Sequence, residues 1–217
     1  MIRAIVMGVL ALWCGVMTTA AWAHPHGWID MSIEVLTDEA DVMQGLRQTW
    51  RMDPFYSLIV MEELQQVQGG DLEAGLDQLG GEIRDNLASH GYFTELHLDD
   101  EALATGEVEE YTVMERQGRV VFMFILPLAE PHSLAGKTLR YQVFDPSYYL
   151  EMVHDAENDE PTAEALRVTG GVACERRIIP ADPDPDKVME AALLDADQES
   201  APGLGRYFAE TGEVACG

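Results

Sequence analysis

Two histidines close to the beginning of the chain have the spacing of a metal chelator. His24 and His26 are separated by Pro25, and alternate residues of an extended strand point to the same side, so we expect the two imidazoles to lie side by side. Trp28 and Asp30 continue the same row, which adds an aromatic wall and a carboxylate. Neutral imidazole suits Zn²⁺, Cu²⁺, Ni²⁺ and Co²⁺, so these are the expected metals.

A free α-amine would add a third nitrogen donor if the chain is cut before the first of these histidines. Residues 1–23 have the features of a signal peptide, because Arg3 is their only charged residue, residues 5–16 are apolar, and Ala21-Trp22-Ala23 supplies small residues before the cut. We therefore expect residues 1–23 to be a signal peptide that is removed. Residues 24–217 are then expected to form a single exported domain with no membrane-inserted segment.

The residue between the histidines restricts the geometry of such a site. A histidine at the third position can bind copper or nickel through two deprotonated backbone amides, but Pro25 has no N–H to lose. The amine and two imidazoles fit a four-coordinate Zn²⁺ site or a copper site of the histidine-brace kind. His154, which follows a predicted strand, is the best candidate to complete the site. The alternative is that His24 and His26 belong to a frayed terminus.

The charge of the chain excludes some partners. The formal net charge is −26, and it becomes −27 without Arg3, which argues against binding to nucleic acid or to an anionic membrane. Cations are favoured, although solubility or adaptation to salt would also explain the acidity. The sequence contains no nucleophile elbow, glycine-rich phosphate loop or paired-cysteine zinc motif, so we expect no enzymatic activity.

The cysteines predict a disulfide. Cys14 is removed with residues 1–23, which leaves Cys174 and Cys216 as an even pair in an exported protein. A two-thiolate metal site is the alternative. Lipid attachment at Cys14 would compete with signal cleavage, but Trp13 stands where a lipoprotein signal has a small residue.

The hydrophobic pattern predicts an α+β protein. Alternation indicates a hairpin of strands at 28–36 and 42–52, and the two helices of a helical hairpin are expected at about 54–90, begun by Asp53-Pro54 and Asp71 and separated by Gly69-Gly70. Further strands are predicted at 92–98, 108–115, 119–126, 138–144 and 148–153. An acidic linker at about 181–186, a short helix at 187–196 and a loose tail would follow. The predicted fold is an antiparallel, sandwich-like sheet with an inserted helical hairpin and a disulfide-tethered C-terminal tail.

Several segments, taken in order, resemble one bacterial family. They are His24-Pro25-His26 followed by Trp28-Ile29-Asp30, Asp53-Pro54-Phe55-Tyr56, Gly91-Tyr92-Phe93-Thr94, Asp145-Pro146-Ser147-Tyr148-Tyr149, and Phe208-Ala209-Glu210 with the ending at Cys216. Together they resemble the domain-of-unknown-function 1007 family. The resemblance implies a periplasmic component of a transport system, associated with inner-membrane permeases of the nickel/cobalt type and with zinc uptake. Members often carry a calcium-loop-like acidic stretch between the helices, of which residues 69–77 are a poor version.

Three functional hypotheses follow. The leading one is a periplasmic protein that binds a transition metal, most readily Zn²⁺, and passes it to a nickel/cobalt-type permease. The second is a copper oxidoreductase that uses a histidine brace at His24. The third is a structural accessory subunit of a transporter, in which the terminal histidines play no part.

Overall fold

The computed structural model describes residues 25–67, 71–171, 173–194 and 200–217. The expected signal peptide, His24 and the Gly69-Gly70 helix stop lie outside these residues. Within them, no helix is both long enough and apolar enough to cross a membrane.

The described residues form strands and helices, and each kind is numbered in chain order. The strands are β1 (Gly27–Thr37), β2 (Val42–Met52), β3 (Thr94–Leu98), β4 (Glu101–Ala102), β5 (Tyr111–Arg116), β6 (Arg119–Ser133), β7 (Thr138–Val143), β8 (Leu150–His154), β9 (Ala156–Glu157), β10 (Glu160–Pro161), β11 (Leu166–Val168), β12 (Cys174–Ile179) and β13 (Thr211–Cys216). The helices are α1 (Pro54–Val67), α2 (Leu72–Ala88) and α3 (Pro185–Ala192). This arrangement confirms the predicted α+β class.

The first sheet is built around the predicted β1–β2 hairpin. Its strand order is β11-β1-β2-β6-β5, and β8 also pairs with β1. The β1–β2, β2–β6 and β5–β6 pairs are antiparallel as predicted, whereas β8 and β11 run parallel to β1. The alternating pattern of β1 puts its hydrophobic residues on the core side, where Ile29, Met31, Ile33 and Val35 are all buried. Trp28 and Asp30 point to the other face.

The second sheet has the order β12-β13-β7-β3-β4, and its buried side chains share a hydrophobic core with the first sheet. Trp50 and Phe122 enter this core from the first sheet, and Leu139 and Val214 enter it from the second. Gly212 permits close packing, because a Cβ at this position would lie 2.1 Å from the ring of Tyr141.

The helical hairpin is capped as the sequence predicts. Oδ1 of Asp53 accepts hydrogen bonds from the backbone N–H groups of Phe55 and Tyr56, each at 2.9 Å. Asp71 caps α2 by accepting from the N–H of Ala74 at 3.1 Å. These side chains satisfy backbone donors that the first turn of a helix leaves unpaired.

The C-terminal region differs from the prediction of a loose tail. Its last residues form β13, which lies between β12 and β7 in the second sheet. Cys174 and Cys216 form the predicted disulfide, and they are register partners on β12 and β13. The predicted linker is shorter than expected, because Asp184 caps α3 and this helix already begins at Pro185. The predicted end of α3 at Ala196 lies outside the described residues.

Candidate metal centre at the amino-terminal end

His26 lies at the point where the described chain enters the first sheet. Its backbone N–H donates to the carbonyl oxygen of Tyr149 at 2.9 Å, and its ring stacks on the Tyr149 ring with 4.5 Å between centroids. The next residue, Gly27, begins the parallel pairing with β8. The backbone is therefore held in place while the His26 side chain remains exposed on the surface. His24 lies outside the described residues.

The carboxylate of Asp53, which the sequence predicted only as a helix cap, lies next to Gly27, the residue after His26. The N–H of Asp53 donates to the carbonyl oxygen of Trp28 at 3.1 Å, which joins the start of α1 to β1. A Cβ on Gly27 would lie 2.9 Å from Oδ2 of Asp53, so the absence of a side chain there allows the carboxylate to approach. Asp53 is buried, with 7% of its surface exposed. The glycine directly after His26 was the one sequence signal for this approach.

Asp30 is engaged in an ion-pair network on the outward face of the first sheet. Its Oδ2 accepts from Arg119, and from Nη2 of Arg51 at 3.4 Å. Arg51 also pairs with Asp155. The contact with Arg51 follows from the β1–β2 register, which sets Asp30 opposite Arg51. A metal ion at Asp30 would have to compete with two guanidinium groups for the carboxylate.

His154 is 2% exposed and belongs to a buried network between the sheets. Its Nδ1 contacts the carboxylate of Glu210 at 2.8 Å, its Nε2 contacts the hydroxyl of Tyr141 at 2.7 Å, and its backbone N–H donates to the same Glu210 oxygen at 2.7 Å. His154 is the register partner of Met31, so it faces the core while Asp30 faces outward. The structure does not bring His154 and Asp30 together.

The network shifts the pKa values of its acidic members. Burial raises the pKa of Glu210, but the hydrogen bonds from the side chain and backbone of His154, together with its charge, outweigh burial and lower that pKa below its usual value. Burial, assisted by the charge of Glu210, raises the pKa of Tyr141 well above its usual value. Glu210 is therefore held as a carboxylate that accepts from His154. Both ring nitrogens of His154 therefore have protein partners.

The remaining candidate ligands are three other histidines and the two cysteines. His90 and His97 are exposed and His132 is half-buried. The disulfide leaves neither Cys174 nor Cys216 as a thiolate. Among residues 25–67, 71–171, 173–194 and 200–217, no three His, Cys, Asp or Glu side chains are grouped so that they could hold a metal. His24 is not among those residues.

The described residues combine an α+β fold of packed sheets with an inserted helical hairpin, a disulfide between β12 and β13, and an exposed histidine where the chain enters β1. The chain belongs to the family described as protein of unknown function (DUF1007), whose model matches residues 9–216.

One relative and one solved structure extend the comparison. An uncharacterized protein of Haemophilus influenzae is 25% identical over 197 residues, which cover 89% of this chain and 91% of the relative. The crystal structure of AChBP from Bulinus truncatus aligns with a TM-score of 0.29 and 7% identity, over 88% of this chain and 85% of that chain. The latter similarity is too low to support an argument about fold or function.

Proposed function

We propose that the chain is an exported, periplasmic protein without catalytic activity that binds a transition metal at its processed amino terminus. The metal, most readily Zn²⁺, would be bound by the α-amine and imidazole of His24 and by the imidazole of His26. The protein would deliver this metal to an inner-membrane permease of the nickel/cobalt type, without binding nucleic acid or inserting into the membrane. The observation that carries the proposal is the exposed His26, held at the surface where the chain enters the fold.

The position of His26 makes a local chelate feasible. Two residues of extended chain span at most about 7 Å, so both imidazoles can reach one ion without any rearrangement of the sheet. Three nitrogen donors leave one position of a tetrahedral zinc site open to water or to a ligand from another protein. An open position suits a protein that releases its metal to a partner.

We leave Asp30 and His154 out of the proposed ligand set. Asp30 is neutralised by Arg119 and Arg51, and both ring nitrogens of His154 have protein partners. The strongly acidic surface would still attract cations, although its effect extends only over a Debye length of about 8 Å at physiological salt.

The test is a zinc titration by isothermal calorimetry on protein that begins at His24. We expect one Zn²⁺ per chain, and at least about 100-fold weaker binding for the double variant His24→Ala/His26→Ala, because removal of a ligand costs more than the 10–100-fold typical of an outer-shell partner. The matched control is His90→Ala/His97→Ala, which removes two other exposed histidines. Equal affinity of the two double variants would refute the proposal.

A second version of the protein isolates the contribution of the amine. One glycine added before His24 keeps both imidazoles and moves the amine out of the chelate. We expect this extended protein to bind zinc more weakly than the protein that begins at His24. If the extension changes nothing, the amine is not a ligand.

A further inference from the structure

The surface next to His26 carries large hydrophobic side chains that the fold leaves uncovered. They lie on α1, at the start of β1 and just before β8, and each is between 41% and 72% exposed. We call these residues the apolar patch: Trp28, Phe55, Tyr56, Leu58, Ile59 and Tyr149. Isolated exposed hydrophobic residues are ordinary, whereas a cluster beside one feature of the molecule indicates an interaction site.

Backbone contacts bring Trp28, Tyr149 and the first turn of α1 to one end of the molecule. The N–H of Asp53 bonds to the carbonyl oxygen of Trp28, so the first turn of α1 starts beside β1. Tyr149 stacks on His26, two residues before Trp28. On α1, residues 55, 58 and 59 share the face opposite Ser57 and Val60, which are buried. The patch therefore adjoins the proposed metal-binding terminus.

The charge around the patch restricts what can cover it. The segment from Asp53 to Val67 contains no lysine or arginine, and its charged side chains after Asp53 are Glu62 and Glu63. The nearby Arg51 is already paired with Asp30 and Asp155. A second copy of the chain would bring two strongly acidic molecules together, and an anionic membrane would be repelled as well. A partner with basic residues around an apolar surface would gain from both features.

The area of the patch fits a transient contact. At about 200 Å² for each large side chain, the exposed fractions amount to roughly 600 Å². This is at the upper end of the patches found on monomers and below the roughly 800 Å² per partner of a stable complex. A protein that releases metal must also dissociate from its acceptor, so a surface of this size suits repeated docking.

We infer that the apolar patch docks a partner protein that presents an apolar surface rimmed by lysine and arginine, and that this docking brings the terminal metal site to the partner. The inference rests on the proposed function for the identity of the cargo. The contact itself needs only the patch and the charge around it.

The test uses a synthetic amphipathic helical peptide of leucine and lysine with all leucines on one face, titrated into the full exported chain by fluorescence anisotropy. A scrambled peptide of the same composition, without an apolar face, controls for charge. Phe55→Ser/Leu58→Ser removes side chains that are 72% and 55% exposed. The matched control Met189→Ser/Leu193→Ser removes side chains on and at the end of α3 that are 57% and 74% exposed.

We expect the amphipathic peptide to bind at least about tenfold more tightly than the scrambled peptide. Phe55→Ser/Leu58→Ser should weaken the binding of the amphipathic peptide by at least about tenfold. The α3 variant should stay within about twofold of the unchanged protein. Equal losses in the two variants, or equal binding of the two peptides, overturn the inference. Patch-dependent binding to phosphatidylglycerol vesicles overturns it in favour of a membrane. Patch-dependent dimers in sedimentation overturn it in favour of a second copy.

Zinc titrations of the same proteins separate the two proposals. Phe55→Ser/Leu58→Ser should keep its zinc affinity while it loses the peptide. If the unchanged protein binds no zinc but binds the peptide through the patch, the proposed metal function fails and the docking surface stands. If zinc binds at the terminus and the peptide does not depend on the patch, only the docking inference fails.

Discussion

Replacement of Glu210 by glutamine should destabilise the protein in a pH-dependent way. One carboxylate oxygen of Glu210 accepts from the backbone N–H of His154 at 2.7 Å and contacts its Nδ1 at 2.8 Å. Hydrogen bonds to a charged group contribute about 1.5–3 kcal/mol each, and a neutral amide oxygen can still accept them at about 1 kcal/mol each. The difference is a loss of about 2 kcal/mol in the free energy of unfolding near neutral pH.

The sign of the pH dependence follows from the lowered pKa of Glu210. A carboxylate whose pKa is lower in the folded protein stabilises the fold fully above the usual glutamate pKa of about 4.3, and this stabilisation is lost as the pH falls through the lower, folded value. Glu210→Gln cannot titrate. The stability difference between the unchanged protein and this variant should therefore shrink as the pH falls below about pH 4.

The assay is urea unfolding followed by circular dichroism, with the disulfide intact, at about pH 7 and about pH 3.5. A loss of about 2 kcal/mol corresponds to a midpoint lowered by about 1 M urea. Glu160→Gln, at an exposed position in β10, is the matched control and should stay within about 0.5 kcal/mol of the unchanged protein. A midpoint for Glu210→Gln equal to that of the control, or a difference that grows as the pH falls, would refute the reasoning.

Three further predictions concern the packing, the disulfide and the ion-pair network. Gly212→Ala should lower the free energy of unfolding by more than about 3 kcal/mol, because its Cβ would overlap the buried ring of Tyr141, and urea unfolding measures this. Cys174→Ala/Cys216→Ala should cost about 4 kcal/mol by the chain-entropy relation for a sequence separation of 42 residues, and a loss below about 1 kcal/mol in thermal unfolding would contradict that account. Asp30→Asn should keep a zinc affinity within about twofold of that of the unchanged protein in calorimetry, because the Asp30 carboxylate already pairs with Arg119. If the affinity falls as far as it does in His24→Ala/His26→Ala, Asp30 is a zinc ligand.

Local patterns were enough to predict the elements that depend on neighbouring residues. Strand β2 has the predicted bounds, and β1 extends one residue beyond its prediction at each end. Asp53 and Asp71 marked the starts of α1 and α2, because a cap acts within one helical turn. The disulfide was predictable because removal of the expected signal peptide would leave two cysteines, Cys174 and Cys216, as an even pair.

The elements that the sequence did not reveal depend on contacts between distant segments. Residues 211–216 have no strong strand pattern, and they form β13 because β12 and β7 pair with them on both sides. The face of His154 was set by its register with Met31, which lies more than one hundred residues earlier in the chain. Spacing along a single strand predicts that His26 and Asp30 lie in one row, but His26 lies just before β1, and the spacing does not indicate that Arg119 neutralises Asp30.

The proposed site holds one metal ion through nitrogen atoms at the processed terminus. X-ray absorption at the zinc edge, on protein that begins at His24 and is loaded with one equivalent of Zn²⁺, reports these donors. We expect three nitrogen donors at about 2.0–2.1 Å, two of them imidazoles, and loss of the imidazole signal in His24→Ala/His26→Ala. A shell of sulfur or of oxygen alone, or an unchanged spectrum in the double variant, would contradict the proposal.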